Sequence, residues 1–316
     1  MFNQSMIYRS VGQSGLKVSA LSLGGWITFG GSLKNQSEVT KIHQLAYEAG
    51  INFFDCADIY AKGASEVIMG EALKNFPRHE LVISSKVYWP MSEDPNDKGL
   101  SRKHIFESVN KSLKRMQVDY LDLYFCHRYD AETPLEETVR AMDDLIKQGK
   151  ILYWGTSEWS GEQIQEVFQL CKSNGYYCPI VEQPQYSLIF RERFEEEVLP
   201  AVQRADMGTV TWSPLASGLL SGKYDEGISD GRLSKIDWLK ELLLTPENVN
   251  KVKALKPIAD SLGCTRSQLA IAWLLQQRGV SSIILGASSY EQLKENLGAL
   301  KIKIDNEKLQ KITALF

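Results

Sequence analysis

A (β/α)8 barrel, an α/β fold closed on itself, is what the 316-residue sequence predicts, and three observations predict it. Short apolar runs alternate with longer stretches of helical apolar spacing about eight times in succession. The connections between runs are of crossover length, which makes the sheet parallel. Eight such units in a chain of this size favour closure into a TIM-type barrel over an open doubly wound sheet. No low-complexity tract or linker interrupts the pattern, so residues 1–316 are expected to form a single domain.

The elements follow in order. Residues Tyr8 to Leu16, with the turn Gly12-Gln-Ser-Gly15, have the form of a β-hairpin ahead of the barrel. The expected barrel strands are Val18–Leu23, Ile51–Asp55, Leu81–Val87, Tyr120–His127, Ile151–Thr156, Ile180–Gln183, Gly208–Trp212 and Ser282–Leu285, each followed by a helix-like segment. Ser101 opens a helix with the buried stripe Ile105, Val109, Leu113 and Met116. Thr133-Pro-Leu-Glu136 supplies an N-cap, a proline at the first helical position and a glutamate three residues after the cap. The helix it opens buries Leu135, Val139, Met142 and Leu145 and stops at Gly149. After the seventh strand, Pro214 to Thr245 is a long insertion rich in Ser-Gly pairs, placed where barrel ligands bind, and a helix starts near Pro246.

Composition excludes several function classes. With 36 Lys+Arg against 39 Asp+Glu the formal charge is −3, so no basic stripe is present to hold nucleic acid. The short cluster Lys111, Lys114 and Arg115 reads as solvated helix decoration. No apolar run approaches the roughly 18 residues that cross a bilayer, and the start has no basic region followed by an apolar core. Five cysteines, Cys56, Cys126, Cys171, Cys178 and Cys264, form no C-x-x-C pair, which points to a reduced, cytoplasmic protein with neither a disulfide framework nor a thiolate zinc site. Four histidines show no metal-binding spacing. Neither a Gly-x-Gly-x-x-Gly turn opening a helix nor a P-loop occurs.

In such barrels chemistry gathers at the C-terminal ends of the strands. The second strand ends at Asp55 and runs on to Tyr60, the third ends at Lys86, and the fourth ends at His127. Taken singly, these residues also fit a loop cap, a rim lysine, a loop tyrosine and a buried structural histidine. Together they describe a proton donor. An ammonium beside a phenol favours the phenolate, a carboxylate keeps that ammonium charged, and an imidazole can align a carbonyl. Cys56 is expected to serve packing. A proton donor facing a carbonyl needs an electron source, and with no metal site evident a nicotinamide supplies it. Its phosphates find a candidate site after the eighth strand, where Leu285-Gly-Ala-Ser-Ser-Tyr-Glu-Gln292 opens a serine-capped helix, with Lys223 and Arg232 from the insertion as a clasp. A glycosidase is excluded because the fourth strand ends in His127 and the seventh in Trp212-Ser213, leaving no acidic pair across the mouth.

Gly50-Ile-Asn-Phe-Phe-Asp55, continuing through Ala57-Asp-Ile-Tyr60 to Ser65-Glu-Val-Ile-Met-Gly70, resembles the first signature of the aldo-keto reductases, and Lys86 and His127 match that family's lysine and histidine. The resemblance runs from about Tyr8 to Leu300. Within the family, Leu23-Gly-Gly-Trp26-Ile-Thr-Phe-Gly-Gly31, Thr211-Trp-Ser-Pro-Leu-Ala216, Ser221-Gly-Lys-Tyr224 and Gly286-Ala-Ser288 are similar to stretches of the voltage-gated potassium channel beta subunits and the reductases akin to them. The resemblance implies a catalytic tetrad of Asp55, Tyr60, Lys86 and His127, with Tyr60 the general acid. It implies NADP(H) lined by Trp26, Asp55, Ser157, Gln183, Trp212, Ser213, Leu215, Lys223, Arg232, Gly286, Ser288, Gln292, Glu295 and Asn296. Ser157 and Gln183 would hold the carboxamide and Trp212 would stack on the ring. It implies reduction of small aldehydes or ketones, and a homo-oligomer of four or more subunits. Trp26, Tyr60, Tyr88, Trp89, His127 and Tyr129 are the expected substrate contacts. Two positions depart from the pattern. Glu158 stands where relatives carry asparagine or, in channel subunits, arginine. His127 stands where channel subunits carry asparagine, and the sequence has no N-terminal extension of the kind that plugs a channel. The alternative is a channel-associated subunit that binds NADP(H) as a redox-sensing partner.

Overall fold

The structure, a computed structural model, describes residues 6–227 and 231–316, without the Arg232 side chain. It opens with an antiparallel hairpin, β1 (Tyr8–Ser10) and β2 (Lys17–Ser19), with Tyr8 opposite Ser19. The alternating run follows: β3 (Leu21–Gly24), α1 (Gln36–Glu48), β4 (Phe53–Asp55), α2 (Ala64–Leu73), β5 (Val82–Val87), α3 (Arg102–Met116), β6 (Leu121–Cys126) and α4 (Leu135–Lys147). It continues with β7 (Ile151–Thr156), α5 (Gly161–Asn174), β8 (Val181–Glu182), a π-helical turn Arg193–Val198 that runs into α6 (Leu199–Arg204), and β9 (Gly208–Thr211). Then come α7 (Asp237–Leu243), α8 (Pro246–Ala254), α9 (Lys256–Ser261), α10 (Arg266–Leu275), β10 (Val280–Leu285), α11 (Tyr290–Leu297) and α12 (Asn306–Ala314). Strands β3 to β10 pair in parallel and close, β10 hydrogen-bonding to β3. No helix among the described residues is long and apolar enough to cross a membrane.

Period-two alternation divides each strand between lumen and helix layer. Phe53, Val82, Leu123, Phe125, Val181, Val210 and Ile284 fill the lumen, and Val11 and Val18 of the hairpin join them. The hairpin thus seals the N-terminal end of the barrel, where Ser281 Oγ on β10 donates to the Ser10 carbonyl at 3.0 Å. Phe54, Ile83, Val87, Tyr124 and Cys126 face the helices in the larger core. Two residues beyond the lumen-filling layer, or four in the case of Lys86, the same parity carries Asp55, Lys86, His127, Gln183 and Trp212 to the open end.

Several elements differ from expectation. The run Val18–Leu23 is not one strand: Val18 and Ser19 belong to the hairpin, and the barrel strand begins at Leu21. The break is tertiary, since the Ser19 N–H is taken by Asn52 Oδ1 at 2.7 Å and the Ala20 N–H by the Ile7 carbonyl. Thr133 does not cap α4; its hydroxyl donates to Asp130 Oδ2 at 2.7 Å, and Pro134 occupies the cap position without a side-chain bond. Leu113 and Leu135 are only partly buried, whereas Ser101 caps α3 as its sequence implies. The insertion after β9 contains α7, which its composition does not announce.

Arg115 is a further difference. Instead of decorating the surface, its Nε pairs at 2.5 Å with Glu66, whose side chain is 0% exposed. The second Glu66 oxygen accepts Ser85 Oγ at 2.6 Å. Because Ser85 is the outward neighbour of Lys86, this pair ties α2 and α3 to the strand that carries the lysine. Removing the guanidinium strands a buried carboxylate. Arg115→Met should lower the unfolding free energy by about 3 kcal/mol in urea titration; a loss below about 1 kcal/mol would show the pair to be ornamental.

Candidate active site

The parity of the strands brings three charged or polar tips into one mouth. Lys86 Nζ, completely buried, donates to Asp55 Oδ2 at 2.6 Å and to the Cys56 carbonyl at 2.7 Å, and reaches Tyr60 Oη at 3.4 Å. Asp55 Oδ1 accepts Ser84 Oγ at 2.7 Å and Gln183 Nε2 at 3.0 Å. Every face of this ion pair therefore has a hydrogen-bond partner, the condition for keeping both charges inside a barrel.

Tyr60 comes from a short turn, Tyr60–Gly63, in which Ala61 and Lys62 take left-handed φ of 49° and 52°. Such backbone persists only when surroundings over-determine it. Asp58 supplies part of that restraint: its Oδ1 accepts the Ile59 N–H at 2.6 Å and its Oδ2 accepts Ser108 Oγ at 2.8 Å from α3. Gly63, with φ +88°, abuts Arg115, which a Cβ there would strike at 2.9 Å. Asp58 and Arg115 carry no role in the sequence reading; the one signal available for Asp58 is an acid placed between two apolar neighbours.

His127 lies edge-on to the Tyr60 ring, centroids 5.8 Å apart, and 6.2 Å from the ring of Trp89, which in turn meets Tyr88 at 5.1 Å. Burial first, then the charges of Lys86 and Arg128, hold its imidazole well below the usual histidine range, so it is neutral. The Tyr60 phenol is pushed well above its ordinary value, first by burial and then by the negative charge of Asp55. That reverses the expectation that Lys86 draws the phenol down. The ammonium is committed to Asp55 and the Cys56 carbonyl, both closer than the phenol, so the phenol keeps its proton. The Cys56 thiol is buried and also driven up, in keeping with a packing role.

The aldo/keto reductase family profile matches residues 20–316. The chain belongs to the aldo/keto reductase family. Two relatives are each described as a "Probable voltage-gated potassium channel subunit beta". One, from Arabidopsis thaliana, is 48% identical over 303 residues, covering 94% of this chain and 92% of its own. The other, from Oryza sativa subsp. japonica, is 46% identical over 303 residues with the same coverage.

The other positions that aldo/keto reductase resemblance singles out fall into two groups. At the mouth, Ser157 Oγ donates to the Gln183 carbonyl at 3.0 Å, and Trp212 meets Trp26 edge-on at 5.6 Å. Trp212 Nε1 donates to Glu158 Oε1 at 2.9 Å, which also accepts the Gln185 N–H at 2.5 Å, and the other Glu158 oxygen pairs with Arg193. Glu158 and Ser213 both sit at left-handed φ, 60° and 59°. Leu215 is partly buried beside them. The second group lies at the end of β10. Ser289 caps α11 by accepting the Gln292 N–H, and Ser288 donates twice to Gln292 Oε1 at 2.9 Å, leaving Gly286 and Ser288 exposed. Asn296 is buried, and Glu295 accepts Thr265 Oγ1 at 2.8 Å. Lys223 is exposed, its Nζ 2.9 Å from where a Cβ on Gly218 would stand. The Arg232 side chain lies outside the described residues. Tyr129 packs edge-on against Trp159 at 4.9 Å, whereas Trp89 adjoins His127 and Tyr88 adjoins Trp89.

Under this mouth lies Glu182, fully buried, accepting Thr156 Oγ1 at 2.5 Å and the Trp159 N–H at 3.2 Å. Burial raises its carboxyl to about 8. The folded state then holds a proton that the unfolded state releases above about pH 4.5, so this group costs stability progressively as pH rises from about 4.5 to about 8. Glu182→Gln removes the penalty: its urea midpoint relative to wild type should rise between pH 5 and pH 8.5, and a pH-independent difference would contradict the shift.

Proposed function

We propose that this protein reduces aldehyde or ketone carbonyls to alcohols with NADPH, Tyr60 acting as the general acid. The observation that carries the reading is the chain Asp55, Lys86, Tyr60, hydrogen-bonded in that order beside a neutral His127. A phenol that retains its proton is a donor, and Lys86 within 3.4 Å is placed to stabilise the phenolate left after transfer. Asp55 holds Lys86 in place at 2.6 Å. The Nδ1 of His127 is sealed without a partner, so Nε2 is the nitrogen that meets the substrate oxygen and orients it toward Tyr60.

The nucleotide fits the residues present. Exposed Gly286, in the turn before α11, would offer its backbone N–H to a phosphate, with exposed Ser288 beside it held by Gln292 Oε1. Glycines at Gly218 and Gly231 leave room for Lys223 Nζ, which a Cβ at either would crowd to 2.9 or 2.8 Å. Lys223 and Arg232 are the cations we assign to the 2′-phosphate that distinguishes NADP(H), with Gln292, Glu295 and Asn296 on the adenosine side. Ser157 and Gln183 would hold the carboxamide, Trp212 would cover the ring with Ser213 and Leu215 beside it, and Trp26, Tyr88, Trp89 and Tyr129 would border the substrate. The nicotinamide, when bound, supplies the hydride. Everything else is done by the chain: His127 aligns the carbonyl, Tyr60 protonates its oxygen, and the aromatic side chains keep water out.

A second reading rests on the names of the two relatives, both voltage-gated potassium channel beta subunits: a subunit that binds NADP(H) and reports redox state to a channel. One experiment separates them. Purified protein should consume NADPH with small aldehydes, and Tyr60→Phe should lower kcat at least about 100-fold while NADPH affinity stays within about threefold. Full turnover by Tyr60→Phe would remove Tyr60 as the acid. Tight NADPH binding without turnover on any carbonyl would favour the channel-subunit reading.

A further inference from the structure

Arg128 follows His127 directly and has no place in the chemistry above. Its Nη1 donates to the His127 carbonyl, and its Cζ lies 5.6 Å from the centroid of the Trp89 ring, which itself faces His127. The guanidinium is thus fixed at the rim of the carbonyl site by a backbone oxygen and an indole, and its charge is felt by both Tyr60 and His127. What distinguishes it is its company. The partly buried guanidiniums of Arg78, Arg115, Arg191 and Arg266 each hold a carboxylate, from Asp122, Glu66, Glu195 and Asp225, and that of Arg9 spends both Nη1 and Nη2 on the Val280 and Leu275 carbonyls. Arg128, also partly buried, forms no ion pair among the described residues.

A half-buried cation without a counter-ion has given up hydration without recovering it, and an incoming anion restores the balance. The guanidinium presents paired N–H donors in the geometry of a carboxylate, and Nη1 to the His127 carbonyl uses one of its five. Because the bond to His127 fixes Arg128 beside the residue that aligns the carbonyl, an anion bound there belongs to the molecule being reduced.

Building on the reductase reading, we propose that Arg128 is the specificity-determining residue of the site and that its preferred substrates are carbonyl compounds bearing a carboxylate, such as aldehyde acids and keto acids. The test compares two aldehydes of one shape, 4-carboxybenzaldehyde and 4-nitrobenzaldehyde, with NADPH and the wild-type, Arg128→Gln and Arg128→Lys proteins. The readout is the ratio of kcat/KM for the carboxylate over the nitro compound, which cancels any general effect of the substitution on folding or on His127. Wild type should favour the carboxylate, and Arg128→Gln should lower the ratio about tenfold or more, chiefly through KM, as expected for a lost charge-assisted bond. Arg128→Lys should restore part of it, and added salt should narrow the wild-type preference. A ratio unchanged in Arg128→Gln, with both aldehydes reduced by wild type, would overturn the role of Arg128 and leave the reductase intact. Failure of wild type to reduce either aldehyde would overturn the reductase reading and this proposal with it.

Discussion

Everything at the mouth of this barrel depends on one buried ion pair. Lys86 is inside the lumen at 0% exposure, and Asp55 is the only carboxylate within bonding distance of it among the described residues. Two charges withdrawn from water lose several kcal/mol each unless geometry and further hydrogen bonds compensate. Here Ser84 and Gln183 occupy one carboxylate oxygen, while the Cys56 carbonyl takes a second proton of the ammonium. Those partners come from β4, β5 and the end of β8, so the pair doubles as a register pin across the sheet. A slip of one residue in any of these strands would turn its tip outward and strand the others.

A second, outward-facing set of polar groups does for the Tyr60 turn what the ion pair does for the lumen. Asp58, Ser108, Glu66, Arg115 and Ser85 lie between α2, α3 and β5, and they hold a backbone that runs through two left-handed non-glycine residues. Strain of that kind costs about 1–3 kcal/mol per residue, so the network must outweigh it. The two sets meet at β5, where Ser85 points to the helices and Lys86 to the lumen. Position of the phenol and position of the ammonium are therefore set by neighbouring residues of one strand.

How much of this the sequence disclosed follows from which forces were local. The ends of the strands are local features of the sequence, and they bring Asp55 against Lys86 and His127 against Tyr60 at one mouth. The Val18–Leu23 boundary is not: Val18, Leu21 and Leu23 read as one apolar run, and only Asn52 and Ile7, distant in the chain, divide it. Arg115 looked like surface because its helix face is basic; its partner lies 49 residues earlier. The rise of the Tyr60 phenol comes first from burial and then from the charge of Asp55, and Lys86, closer to its two other partners than to the phenol, does not reverse it, a balance that no residue type announces. The cap at Thr133 failed for a related reason, since its hydroxyl turns to Asp130 Oδ2 and α4 has no side-chain cap.

Glu158 illustrates how a departure from a family's pattern can be absorbed. A carboxylate at this position departs from the pattern that the family resemblance implies and adds a charge beside Trp212. In the folded chain that charge is met by Arg193 from the π-helical turn, and the freed oxygen receives the Trp212 indole and the Gln185 amide. The extra helical residue of a π turn shifts a side chain relative to an α-helix, and here that turn supplies the compensating guanidinium. The wall formed by Trp212 and Trp26 is thereby fastened from behind. The position holds the Trp212 side chain, and that is visible only once the loop after β7, the turn after β8 and the end of β9 are seen together.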